Sequence, residues 1–106
     1  MTLLASVVSR ERLRFTPAGI AVLSFTVDHR SRQNEAGQPR DVALTLDCVA
    51  IGKNAQLLER VSLKSVLELK GFLANRSGKS RWIVFHVTEF DLKHLGDNDV
   101  PSNKKT

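Results

Sequence analysis

The chain has 106 residues, 42% of them hydrophobic and 25% charged, which is the make-up of one soluble globular domain with a modest core. No apolar run approaches the ~18 residues of a membrane-spanning helix, MTLLASVVSRER lacks the basic start of a secretory leader, and a single cysteine, Cys48, excludes an internal disulfide framework and suits a reducing, cytoplasmic setting. Sixteen Lys and Arg against eleven Asp and Glu leave a net charge of +5, which points toward a polyanionic partner or an acidic membrane surface.

In chain order, Leu3 to Ser9 reads as a short strand that Leu13 and Phe15 continue between Arg12 and Arg14. Pro17-Ala18-Gly19 is turn chemistry. Leu23, Phe25 and Val27 then alternate with Ser24, Thr26, Asp28 and Arg30, so one face is apolar and the other polar. A loop is expected over Gln33 to Pro39. Val42, Leu44, Leu46 and Cys48 repeat the alternation, facing away from Asp41, Thr45 and Asp47. Asn54 to Val61 breaks it: Leu57, Leu58 and Val61 fall at helical spacing, with Asn54 as the N-cap. A helix of about two turns holds only if packed.

Leu67, Leu69 and Leu73 form the next strand, with Gly71 at a bend that a side chain would crowd. A loop over Ser77 to Ser80 leads to Ile83, Phe85 and Val87. Phe90 and Leu92 sit on the opposite parity, which predicts a β-bulge near Thr88 and Glu89. From His94 onward, HLGDNDVPSNKKT loses periodicity; residues 94–106 are expected to be a disordered tail behind a domain of residues 1–93. The resulting all-β order, with one helix between the third and fourth of five strands, is the layout of an OB-fold, a five-stranded Greek-key barrel. Closure hides the sheet edges. Another small all-β barrel or a sandwich satisfies the same periodicity.

No constellation for catalysis emerges, and no cofactor or metal is expected. Cys48 lies on the apolar parity of its strand and reads as core. His29, His86 and His94 match no metal-ligand spacing with it. Gly78-Lys79-Ser80 lacks the glycine five positions before Gly78 that a phosphate loop needs, since position 73 is Leu, and a strand follows instead of a helix. Asp41 and Asp47 face out from one strand, but six extended residues part them by roughly 20 Å.

Basic residues gather near strand ends. Arg10, Arg12 and Arg14 crowd the first strand region. Arg30, Arg32 and Arg40 flank one loop, and Arg76, Lys79 and Arg81 flank another. A barrel brings such loops around one groove, where cations can follow a phosphate backbone. The acids are expected to collect elsewhere, in Glu89 to Asp99. Trp82 points away from Ile83 and Phe85 beside Arg81; it is either a base-stacking ring or a cover for the barrel exterior or a subunit contact. Phe72 reads as an interface or lid residue, and Phe15, Phe25 and Phe85 as core. The candidate DNA-binding set is therefore Arg12, Arg14, Arg30, Arg32, Arg40, Arg76, Lys79, Arg81 and Trp82.

Two stretches carry a family resemblance: TPAGIAVLSFTVDHRSRQNEAG over residues 16–37, and VLELKGFLANRSGKSRWIVFHVTEFDL later in the chain. They resemble the single-stranded-DNA-binding protein superfamily and, more closely, the primosomal replication protein N (PriB) family. The resemblance spans most of residues 3–92. It implies an OB-fold homodimer that binds single-stranded DNA, assists the PriA helicase at stalled forks and aids transfer toward DnaT in primosome assembly. It places Arg14, Arg30 and the loop Arg76 to Arg81 where the family has DNA-contacting basic groups. The family's aromatic positions in and after the second-to-third strand loop are Gln38 and Ala43 here. That departure implies either a weaker DNA affinity, which would leave the helicase contact as the larger part of the function, or a shift of the DNA contact toward Trp82 and the arginines. The alternatives are a general single-stranded-DNA-binding protein, although the SNKKT end lacks an acidic recruiting tip; a protein-interaction OB module with weak DNA binding; and RNA binding through the same fold.

Overall fold

The computed structural model describes residues 1–76 and 81–94, and of Arg32, Gln33 and Glu35 the backbone alone. Six strands and one helix follow in order: β1 (Thr2–Arg10), β2 (Arg14–Phe15), β3 (Ala21–Glu35), β4 (Gln38–Ile51), α1 (Lys53–Glu59), β5 (Val66–Asn75) and β6 (Ile83–His94). β2 is only a two-residue extension of the first strand region along β3. The five long strands close on themselves in the ring β1-β5-β6-β4-β3, sealed by the β1–β3 pairing. All pairs are antiparallel except β4 with β6. This is the OB barrel that the sequence predicts.

The period-two runs fill its interior. Leu3, Ala5 and Val7 of β1, Leu23, Phe25 and Val27 of β3, Cys48 and Ala50 of β4, Leu67 and Leu69 of β5, and Phe85 and Val87 of β6 are all buried. Ala55 and Leu58 of α1 join the same cluster. The helix begins one residue before the predicted N-cap. Gly52, at φ 72°, supplies the entry turn, and Asn54 lies inside the helix. Its Nδ2 instead donates to the Thr88 carbonyl at 3.0 Å. At the other end, the Arg10 guanidinium donates to the Leu58 carbonyl at 3.2 Å and also to that of Val61, which adds a side-chain donor at the helix C-terminus.

The predicted bulge is present. Lys70 pairs with Glu89 and Gly71 with Val87, so Thr88 is the extra residue. Its Oγ1 donates to the Lys70 carbonyl at 3.1 Å. Gly71 is required here because a Cβ would sit 1.8 Å from the His86 carbonyl oxygen.

Several apolar positions read as inward stay in solvent. The expected loop at Gln33 to Pro39 is a two-residue turn, Ala36-Gly37, with both φ values positive (54° and 79°) and Glu35 paired to Gln38. β3 and β4 therefore outrun the barrel as a two-stranded arm, and Val42 and Leu44 on it are exposed. Leu73 and Ile83 are exposed for the same reason, near the tip of the β5–β6 hairpin. Phe15, predicted as core, is 59% exposed at the end of the β2 ribbon. His94, where the expected tail starts, belongs to β6; residues 95–106 lie outside the described residues.

Candidate nucleic-acid interface

Residues facing each other across an antiparallel ladder share a face. Ser24 pairs with Val49, Thr26 with Asp47, Asp28 with Thr45 and Arg30 with Ala43, so these eight form the outward surface of β3 and β4. β6 continues it, because Val49 neighbours His86. On this surface lies a cleft of about 780 Å³. Ser24, Thr26, Asp47, Val49, Val84 and His86 belong to its lining, and Arg14 and Arg76 line it as well. Short side chains on a twisted sheet leave this space open, while the arginines come from β2 and from the residue that follows β5.

Among the predicted residues, Arg14 and Arg76 are thus brought to one cleft. Arg30 lies on the same sheet face, on the arm. Arg32 pairs through its backbone with Asp41 on that arm. Arg40 pairs with Gln33 and so falls on the other face, that of Leu44 and Val42. Arg12, Arg81 and Trp82 are exposed but do not line the cleft; Trp82, at 70%, stands out of the β5–β6 hairpin, where its carbonyl accepts from the Arg76 N–H at 2.8 Å. Lys79 lies outside the described residues. Arg10 reaches the cleft wall, but its guanidinium is engaged by the helix carbonyls.

The expectation that acids collect elsewhere does not hold. Arg14 Nη1 lies 3.9 Å from Glu11 and donates to Ser24 Oγ at 3.1 Å. Arg30 Nε donates to Asp28 at 2.9 Å, and this hydrogen bond, with the charge of Asp28, raises the guanidinium pKa above its ordinary value. Arg76 Nη2 lies 3.7 Å from Asp47, whose other oxygen accepts from Thr26 Oγ1 at 3.3 Å. A polyanion entering this cleft competes with carboxylates for the arginines. Exposed pairs of this kind are each worth no more than about 1 kcal/mol, so the competition is one a phosphate can win.

Sequence reading missed one feature. The Phe72 and His86 rings, directly across β5–β6, stack with centroids 4.9 Å apart and planes 3° apart. Both occupy the outward parity, but only the strand register makes them neighbours. Chemistry of other kinds is not assembled. Cys48 is buried, and desolvation first, then the charge of Asp47, pushes its thiol up to about 12, the reverse of a nucleophile's need. Among the described residues no group of three or more His, Cys, Asp or Glu is placed to hold a metal ion, and no helix is long and apolar enough to cross a membrane.

This barrel and its outward cleft define an OB-type module of the single-strand binding class. Residues 1–89 match the model of a family described as another single-strand binding protein family. The replication restart protein PriB of Bordetella pertussis is 36% identical over 89 residues, covering 84% of this chain and 83% of that protein. The solved PriB structure from Ralstonia solanacearum superposes with a TM-score of 0.78 at 33% identity, covering 89% of this chain and 96% of that one. Wild-type single-stranded DNA binding protein from Thermus aquaticus shares the fold, with a TM-score of 0.70 at 19% identity over 88% of this chain and 48% of that one. The chain belongs to the PriB family of replication restart proteins, within the single-strand binding proteins.

Proposed function

We propose that the protein is a noncatalytic accessory factor of replication restart in the cytoplasm, which binds single-stranded DNA across the β3–β4 face, stimulates or docks with the PriA helicase and aids assembly with DnaT. The observation that carries the DNA part is the cleft bounded by Arg14 and Arg76, on the sheet face with which OB barrels take oligonucleotides. Arg30, further along the same face, extends the track onto the arm, and Arg81, exposed at the β5–β6 hairpin, supplies a further cation. The names of the relatives support the restart role.

A homodimer belongs to this reading. Leu4, Val42 and Leu44 are exposed, and His29, paired opposite Leu44, contacts the Leu4 carbonyl at 2.6 Å through Nδ1. A second copy of the chain would cover this apolar surface at the root of the arm. A specific observation also favours a second reading, a protein-interaction module with weak DNA binding: Glu11, Asp28 and Asp47 already engage arginines on the DNA face.

Titration of fluorescent oligo-dT at rising salt, with mass measurement of the free protein, tests the proposal. The expected result is a dimer whose affinity falls steeply with salt. A salt-insensitive or absent affinity, with PriA binding retained, selects the interaction module. Trp82→Ala is expected to cost roughly 1–3 kcal/mol of DNA binding if the ring stacks on a base; an unchanged Kd assigns the ring to packing or to a protein contact.

A further inference from the structure

We infer that the His86 ring, backed by Phe72, is a stacking platform for an unpaired nucleobase at the floor of the cleft. The inference rests on the single-stranded-DNA reading above and assigns the base contact within it. Across the sheet, one outward row runs Phe72 on β5, His86 on β6, Val49 on β4 and Ser24 on β3. His86 lines the cleft and Phe72 does not. β6 lies between β5 and β4, so the phenyl ring covers the imidazole from the β5 side. The opposite imidazole face is turned toward Val49 and the open space.

Parallel stacking at 4.9 Å fixes the ring plane, which a lone surface histidine would not hold. A flat, fixed π-surface is what a base requires, and every base presents a π-face to it. The neighbours Val49, Ser24 and Thr26 are too short to occupy the space above the ring. The charge around it selects the ligand: Arg14, which donates to Ser24, and Arg76, which pairs with Asp47, line the same cleft and can meet the phosphates that flank a stacked base. A planar group carried on an anionic chain is an unpaired nucleotide strand. Phe72 acts through His86 and is a positioning residue, although it is itself 53% exposed. The platform also accounts for how a chain with Gln38 and Ala43, and with no tyrosine at all, would hold bases.

The experiment compares fluorescent oligo-dT with an abasic deoxyribose-phosphate oligomer of the same length, against the native protein, His86→Ala, His86→Phe and Phe72→Leu. His86→Ala is expected to weaken oligo-dT binding roughly 5- to 100-fold and abasic binding by less than about twofold. His86→Phe keeps a ring on the floor, preserves native affinity and guards against a loss that merely reflects misfolding. Phe72→Leu keeps apolar bulk without a π-face; it is expected to reduce oligo-dT binding less than His86→Ala does and to leave the abasic oligomer unaffected. The inference is overturned if His86→Ala binds oligo-dT like the native protein, or if it loses both oligomers equally. A native protein that binds both oligomers equally well removes the platform but leaves the electrostatic cleft standing. A native protein that binds neither removes the DNA reading itself.

Discussion

The two halves of the β3–β4 ladder are built from one pattern and end in opposite environments. In the barrel half, Leu23 and Phe25 pair with Ala50 and Cys48, and Leu23 is fully buried at 0% exposure. In the arm, His29 and Ser31 pair with Leu44 and Val42, and Leu44 is 43% exposed. Val42, Leu44, Leu46 and Cys48 form one unbroken alternation along β4. The alternation states which side each residue faces. It does not state whether anything covers that side. In the barrel half the cover is the opposite wall of the ring; on the arm it is missing from the monomer.

The largest expected effect comes from truncating both halves alike. Leu23→Ala removes a sealed side chain and is expected to cost about 2–5 kcal/mol in chemical denaturation. Leu44→Ala is expected to cost less in the monomer, about 1 kcal/mol, since nearly half of its surface is already in solvent. Equal losses at equal protein concentration would mean that the arm is covered after all.

Cys48 and Leu44 sharpen the contrast. Burial raises the Cys48 thiol to about 12 from an ordinary value of 9.0, so the unfolded chain loses that proton first as pH rises. The Cys48 contribution is therefore whole below pH 9 and declines between about pH 9 and pH 12, at up to about 1.4 kcal/mol per pH unit. Denaturation curves of native protein and Cys48→Ala are expected to converge over that range; parallel pH dependences would contradict the sealed barrel. A thiol reagent should leave Cys48 untouched in the folded state, and in a Cys48→Ala background should label Leu44→Cys promptly at dilutions where the monomer prevails and slowly where the dimer does.

How far the chain spoke for itself follows from the same contrast. The barrel, the bulge at Thr88 and the need for Gly71 were all legible, because local parity and one glycine carry them. The Asn54 cap was misread because its amide has a distant partner, Thr88, that no local pattern announces. The site was half legible. Arg14 and Arg76 do line one cleft, yet Arg40 turns to the far face because register decides it. The pairing of Arg76 with Asp47 and the stacking of Phe72 on His86 join separate strands, so no single stretch records them.

Smaller effects probe the outward surface of each half. Asp47→Asn in the barrel half frees Arg76 and is expected to strengthen single-stranded DNA binding by up to about fivefold, the scale of an exposed ion pair. Asp41→Asn on the arm lies away from the cleft and should change it less. Weaker binding by Asp47→Asn would mean that the carboxylate holds Arg76 in place for the DNA. At the arm's tip, Ala36 adopts φ 54°, a conformation that asparagine tolerates better. Ala36→Asn should slow amide exchange along the arm by a few tenths of a kcal/mol and leave barrel exchange unchanged; uniform slowing would make arm and barrel one cooperative unit.

The central claim, that an unpaired strand lies across the β3–β4–β6 face, is tested most directly by photocrosslinking. Oligonucleotides carrying iododeoxyuridine would be irradiated on the native protein and the modified peptides mapped. The account predicts adducts at His86 and Trp82 and in the peptides that bear Arg14 and Arg76. Adducts confined to α1 or to the outer surface of β1 would contradict it.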